Sequence, residues 1–246
     1  LISPTRIAFN DRDRMHTVTL INSGKKTNSY RIEWVEQKVN KQGSYEVLTE
    51  QELTDFPIAS PYIRHTPRQV TLEPGERQVI KLLARRANDM QNGEYRSHLT
   101  FTALPDTRQE ETSQGLSMQL NLLMSYSIPV LLRKGELNAV AEIADIQLKT
   151  NPNKPMTDIF VTLSKRGTTS LTGSIKAYYT APGQNNEIHI GTLNGFNFFS
   201  ESQILTKQII WVDQPIDLSA GVLRIAYEGA KEFAGQTLAE KRVAVK

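Results

Sequence analysis

The 246-residue sequence contains no cysteine, which excludes disulfide bonds, thiolate zinc sites and cysteine nucleophiles. It also lacks an uninterrupted apolar run of the ~18 residues that a membrane-spanning helix requires, so we expect no membrane insertion. The absence of cysteine does not fix the cellular compartment, because a two-core protein of this size needs no disulfide bond for stability.

The arrangements of residues on which catalysis depends are equally scarce. The histidines stand at positions 16, 65, 98 and 189, and no two have the spacing of metal ligands. No glycine-rich phosphate loop, nucleophile elbow or HExxH motif occurs. Polar loops contain several carboxylates, but nothing holds two of them in opposition as a glycosidase requires. These are Asp11, Asp13, Asp106, Glu110 and Glu111. We therefore expect no enzymatic activity, no metal site and no cofactor.

Charge of one sign is not in large excess either. The chain has 29 Lys and Arg against 26 Asp and Glu, a net charge of +3, and its basic residues are dispersed. This distribution does not favour nucleic-acid binding. The hydrophobic content of 39% and charged content of 22% are typical of a globular protein, and the length suits two domains.

What the sequence does contain is a succession of strand patterns. Residues 30–34 alternate apolar and polar side chains, as in a half-buried antiparallel strand, and turns such as Glu73-Pro74-Gly75-Glu76 separate the strands. No helical periodicity competes before residue 134. Further strands are predicted at 139–148, 159–164, 171–180, 187–191, 204–211, 222–228 and 238–245.

A break in the pattern at residues 133–136 indicates a hinge between two domains. We predict an all-β chain of two immunoglobulin-like β-sandwiches, residues 1–134 and 135–246. The chain begins on strand-like sequence at residues 2–9. An exported protein begins in this way once its signal peptide has been removed, and so would a trimmed chain.

One strand pattern is much longer than the ~5–6 residues of an ordinary strand. Residues 117–133 read SMQLNLLMSYSIPVLLR, with apolar side chains at even positions up to Val130 and mainly polar or small ones at odd positions. Side chains of a strand alternate between its faces, so one face is continuously apolar. Such a strand should outrun the core of one small sandwich, and other residues must cover its remaining apolar side chains.

Four segments in order resemble the PapD-like periplasmic pilus chaperones of the chaperone–usher pathway. They are SPTRIAF at 3–9, TPRQVTLEPGE at 66–76, GEYRSHL at 93–99 and the strand at 117–133. The resemblance covers residues 1–136 and, more weakly, the second domain. It implies two immunoglobulin-like domains arranged as an L, a periplasmic location, pilin subunits as partners and delivery of those subunits to an outer-membrane usher.

The resemblance also implies a use for the long strand. Chaperones of this family lend the last strand of the first domain to a pilin subunit whose own immunoglobulin fold lacks one. The positions that match the donated side chains are Met118, Leu120, Leu122 and Met124. Tyr126, Ile128 and Val130 are then expected in the protein's own core. The alternative is a self-contained strand whose apolar side chains are covered by its own loops or by a dimer partner.

Family members also bind the carboxylate at the C-terminus of the subunit with two cations. Arg6 matches the first, whereas Pro129 stands where the second is expected and can supply no charge. In this respect the sequence is more similar to the archaic or alternative branches of the family. Arg96, on the preceding strand, could substitute for the missing second cation. The alternatives are that Arg6 is a surface cation and that Arg96 serves only the fold.

A buried ion cluster between the domains is the last feature that the resemblance implies. Arg133 and Glu94 match two of its members, and Asp217 is the expected third, from the second domain. The alternative is three unrelated surface charges.

A different function remains open at this point. Two immunoglobulin-like domains could form an adhesion or carbohydrate-binding module. A β-sandwich hydrolase is a third alternative, which the sequence supports least. An adhesin is expected to carry an aromatic platform or a metal site in its loops. The aromatic cluster of note is Phe196, Phe198 and Phe199, which we interpret as packing of the second domain.

Overall fold

The computed structural model describes residues 1–105, 124–136, 138–150, 157–213 and 216–245. Within these ranges the chain consists of β-strands, one short α-helix and two 3-10 turns. It divides into two compact units, residues 1–37 with 47–136 and residues 38–46 with 137–246. No helix in the described part of the chain has the length and apolar character needed to span a membrane.

The strands follow each other along the whole chain. The first half contains β1 (Ile2–Ser3), β2 (Ile7–Phe9), β3 (Met15–Ile21), β4 (Asn28–Val35), β5 (Gln37–Val39), β6 (Tyr45–Val47), α1 (Glu50–Asp55), β7 (Ile63–Thr66), β8 (Gln69–Leu72), β9 (Arg77–Ala84), β10 (Gly93–Ala103) and β11 (Ser125–Lys134). The second half contains β12 (Ala139–Thr150), β13 (Thr157–Gly167), β14 (Leu171–Thr180), β15 (Ile188–Phe198), β16 (Ile204–Trp211), β17 (Gly221–Gly229) and β18 (Thr237–Val245). The 3-10 turns are Ser60–Tyr62 and Lys231–Phe233.

The first unit is a sandwich of two sheets. One has the strand order β1-β3-β9-β7, and the other has the order β2-β11-β10-β4-β8. Alternation along the strands directs one face of each sheet into a common core. Val18 and Ile80 from the first sheet and Ile32 and Leu99 from the second are all buried there.

The helix α1 was not expected from the sequence. It has six residues, too few for an apolar period to be visible. A capping box starts it, because Thr49 accepts a hydrogen bond from the backbone of Glu52 while the Glu52 side chain accepts one from the backbone of Thr49. The local signal is therefore a cap and not a hydrophobic face.

The second unit has one seven-stranded sheet with the strand order β12-β13-β16-β15-β14-β17-β18. This sheet folds over so that its two halves enclose the core. β15 and β16 are joined at only two pairs of residues, and strands from both sides of this junction share one apolar core. Phe196, Phe198 and Phe199 are buried, which confirms that they are packing residues. The prediction of an all-β chain with two immunoglobulin-like sandwiches is confirmed.

The compact units differ from the predicted domains 1–134 and 135–246 in the segment 38–46 and in residues 135 and 136, and that division stays a prediction. The segment belongs to the second unit, where the amide of Val39 donates to Oε1 of Glu201 at 2.9 Å. Lys207 donates from Nζ to the carbonyl of Gly43 at 3.1 Å. These hydrogen bonds join residues distant in sequence, so no local pattern predicts them.

Candidate functional site

The strand β11 lies between two strands of very different length. β10 pairs with it in antiparallel register along its whole length. On the other side, β2 runs parallel to it and pairs only with Val130–Leu132. Among the described residues, no strand pairs with the outer edge of β11 over residues 125–129. This stretch is an open edge of the sheet.

The backbone groups along this edge follow from the register. The amide of Ala103 donates to the carbonyl of Met124 at 3.1 Å. In an antiparallel pair such residues alternate with residues whose N–H and C=O point away from the partner. Ser125, Ser127 and Pro129 therefore present their backbone groups to the open edge. Because Pro129 is at such a position, its missing N–H removes no hydrogen bond to β10.

The two ends of β11 differ in how far their side chains are buried. Ile128 and Val130 are 4% and 0% exposed, whereas Met124 and Tyr126 on the same face are 51% and 53% exposed. The core positions of Ile128 and Val130 are confirmed. The prediction that Tyr126 belongs to the core is wrong. β2 begins at Ile7, opposite Val130, so it does not extend far enough to shelter the edge beside Tyr126.

Three of the four predicted donor residues, Met118, Leu120 and Leu122, lie outside the described residues. The fourth, Met124, directly precedes β11 and is exposed. Tyr126 joins it as an exposed residue of the same even-numbered row, although the sequence pattern predicted a core position for it. The alternation of the sequence predicts the face on which Tyr126 lies. It does not predict where the neighbouring strand β2 ends, and therefore not whether that face is covered.

Both arginines predicted to bind a carboxylate are buried, Arg6 with 7% and Arg96 with 1% of its surface exposed. Arg6 directly precedes β2, and Arg96 lies on β10. Arg96 donates from Nη2 to the carbonyl of Gln37 at 2.9 Å, and its guanidinium lies 5.5 Å from the ring centroid of Phe56. These contacts of Arg96 serve the fold, and the binding of a carboxylate by the two arginines stays a prediction.

His98 lies opposite Pro129, on the strand that carries Arg96. It is 1% exposed. Burial, and in second place the charge of Arg96, lower the pKa of His98 to about 3. His98 is therefore neutral at physiological pH, and the positive charge in this part of β10 comes from arginine.

Two members of the predicted ion cluster are paired. Arg133 donates from Nε to Oε2 of Glu94 at 2.9 Å, and both side chains are almost completely buried. Asp217 is exposed in the second unit, where its carboxylate accepts hydrogen bonds from the amide and hydroxyl of Ser219 at 2.9 and 2.8 Å. The role of Asp217 in a cluster between domains stays a prediction.

The surroundings of β11 are suited to binding. The described residues contain no group of three or more His, Asp or Glu side chains arranged to hold a metal ion. Instead, residues 124–129 combine outward backbone donors and acceptors with exposed apolar side chains. A further strand can add to such an edge through main-chain hydrogen bonds, while pockets on that strand's own protein receive the side chains.

Solved structures of similar fold include several chaperones. Matches over 100% of this chain include the CupB2 chaperone of Pseudomonas aeruginosa, with 12% identity, a TM-score of 0.45 and 99% of that chain covered. The CsuC–CsuE chaperone–tip adhesion subunit complex of Acinetobacter baumannii matches with 13% identity, a TM-score of 0.47 and 97% coverage. The Salmonella enterica SafA pilin in complex with the SafB chaperone matches with 11% identity, a TM-score of 0.48 and 95% coverage.

A comparison with curated proteins finds no significant match in sequence. A family model does match, and its residues include the open edge of β11, both candidate arginines and the Glu94–Arg133 pair. It is described as "Pili and flagellar-assembly chaperone, PapD N-terminal domain" and covers residues 1–137. The chain therefore belongs to the PapD family of pili and flagellar-assembly chaperones.

Proposed function

We propose that this protein is a periplasmic chaperone that binds and caps pilin subunits by donating a β-strand to them. The donated strand comprises the start of β11 and the residues before it. The chaperone then delivers each capped subunit to an outer-membrane usher. The family assignment supports a chaperone of pilus assembly, and this activity makes or breaks no covalent bond.

The observation that carries the proposal is the open edge of residues 125–129 next to an exposed apolar row. Met124 and Tyr126 are half exposed on the face whose continuation, Ile128 and Val130, fills the protein's own core. In the sequence the same even-numbered row extends back through Leu122. A pilin subunit that lacks a strand offers both the missing backbone partners and the pockets for such a row.

The energy of burial is sufficient for the proposed capture. Fully burying four large apolar side chains such as Met118, Leu120, Leu122 and Met124 stabilises a complex by about 6–12 kcal/mol before costs. Ordering of the strand and loss of rotational freedom offset part of this gain. Two of the four are methionine, whose flexible side chain adapts to pockets of different shape. This property suits a chaperone that caps several related subunits.

A pull-down of a co-expressed pilin subunit tests the proposal. Tyr126→Arg and Leu122→Arg should each abolish capture, because a charge would enter the groove of the subunit without a partner. Ser125→Arg places the same charge on the opposite face of the strand and should leave capture intact. Equal recovery of the subunit by all three variants and by the wild type would overturn strand donation.

A further inference from the structure

A cleft of about 650 Å³ in the first unit is distinct from the open edge of β11. It lies between the loop that connects β2 to β3 and the end of β9 with the two residues that follow it. Its lining consists of Asp11, Arg12, Arg14, Ala84, Arg85 and Arg86. We call it the arginine cleft, since four guanidinium groups share it with a single carboxylate.

Backbone contacts hold the walls of the arginine cleft in place. Arg86 donates to the carbonyl of Asp13 at 2.7 Å, to that of Asn10 and to that of Arg133 at 3.3 Å. The amide of Ala84 donates to the carbonyl of Arg14 at 2.9 Å. The β2–β3 loop is therefore tied to the end of β9, and the cleft is formed before any ligand arrives.

The charges of the cleft are incompletely neutralised. Arg86 donates to neutral carbonyl groups, and burial lowers its pKa while Asp11 and Asp13 act in the opposite direction. The side chains of Arg12, Arg14 and Arg85 are exposed and form no hydrogen bond or ion pair within the described residues. An anion in the cleft would relieve the mutual repulsion of these groups.

We propose that the arginine cleft binds a phosphate-bearing ligand. Guanidinium groups present paired donors that match the oxygens of phosphate, and several of them around one cleft favour an anion with more than one charge. The volume is in the range of small-molecule sites. Among the lining residues only Ala84 is apolar, so the cleft offers no pocket for the apolar anchors of a peptide. The phosphate could belong to a soluble ester or to a lipid headgroup.

Binding of inorganic pyrophosphate to the full chain, measured by isothermal titration calorimetry, tests the proposal. We expect saturable 1:1 binding that weakens with added salt. The triple variant R12Q/R14Q/R85Q should bind at least about tenfold more weakly, because it removes the three unpaired guanidiniums. The triple variant R31Q/R68Q/R77Q is the matched control, since it removes the same charge from exposed arginines outside the cleft. It should bind like the wild type, and both variants should keep the melting temperature of the wild type.

Sedimentation with vesicles separates the two sources of phosphate. Binding to vesicles of phosphatidylglycerol and phosphatidylcholine, but not of phosphatidylcholine alone, and its loss in the cleft variant would support a lipid headgroup. Pyrophosphate binding without vesicle binding would support a soluble ester. The proposal is overturned if wild type binds neither probe, or if the cleft and control variants lose affinity equally. Preferential binding of a polyglutamate peptide over pyrophosphate would replace it with recognition of an acidic protein segment.

Discussion

Arg133 donates a hydrogen bond from Nε to Oε2 of Glu94 at 2.9 Å, and the two side chains are 2% and 0% exposed. The residues are direct partners on β11 and β10. The pair therefore fixes the C-terminal end of the strand whose other end forms the proposed donor edge. Removing one member of a buried pair leaves the other charge in the interior without its partner.

Glu94→Ala should therefore lower the free energy of unfolding of the first unit by about 3–5 kcal/mol. Urea denaturation, monitored by the fluorescence of Trp34, measures this free energy. The chain has two tryptophans, so Trp211→Phe is introduced in every variant to leave Trp34 as the sole reporter. Glu73→Ala is the control, since Glu73 is an exposed carboxylate of the same unit. Equal midpoints for Glu94→Ala and its parent would show that the buried pair does not stabilise the fold.

The buried His98 should make the protein less stable in acid. Its pKa is about 3 in the folded protein against 6.5 in the unfolded chain. Between these values the unfolded chain binds more protons, so the free energy of unfolding falls as the pH falls below 6.5. His98 contributes a slope of about 1.4 kcal/mol per pH unit in this window.

His98→Gln should remove this part of the slope, measured by urea denaturation at several pH values between 4 and 7. Burial also lowers the pKa of His65. This histidine therefore leaves part of the pH dependence of stability in place, in the same direction. His189→Gln, at an exposed histidine of the second unit, is the matched control for the substitution itself. A His98→Gln protein with an unchanged slope would mean that His98 is not held neutral by the fold.

The two buried arginines lead to a prediction about the C-terminus of the bound pilin subunit. Arg96→Ala should weaken the complex with a pilin subunit at least as much as Arg6→Ala, because Pro129 supplies no second cation. A charge-assisted hydrogen bond to a carboxylate contributes ~1.5–3 kcal/mol. Titration calorimetry measures the affinity for the subunit. Thermal melting of each variant shows how far the loss of the Arg96 contacts with Gln37 and Phe56 destabilises the fold, so that this effect can be told apart from weaker binding. If the wild type binds a client with an amidated C-terminus as well as the unmodified one, carboxylate binding is contradicted.

The faces of the strands could be predicted from the sequence because alternation is a local property. Val18, Ile32 and Val130 are buried where the pattern predicts an inward side chain. Tyr126 has the same pattern and is exposed, because its burial depends on the length of β2 and not on its own neighbours. Alternation predicts the face of a residue, whereas tertiary pairing decides whether that face is covered.

Other parts of the structure could not be predicted for the same reason. The segment 38–46 joins the second unit through contacts with Glu201 and Lys207, residues more than a hundred positions away. The arginine cleft combines the β2–β3 loop with residues 84–86, and its basic residues are unremarkable in sequence. For the candidate site, the even-numbered row was visible in advance, but the position at which its cover ends was not.

Hydrogen exchange of individual amides in β11 tests strand donation most directly. The amides of Ser125 and Ser127 point to the open edge, whereas those of Tyr126 and Ile128 bond to β10 by the alternation of the antiparallel pair. We predict fast exchange at Ser125 and Ser127 in the free protein and strong protection when a pilin subunit is bound, with Tyr126 and Ile128 protected in both states. Exchange at Ser125 and Ser127 that is unchanged by a bound subunit would contradict the donation of this strand.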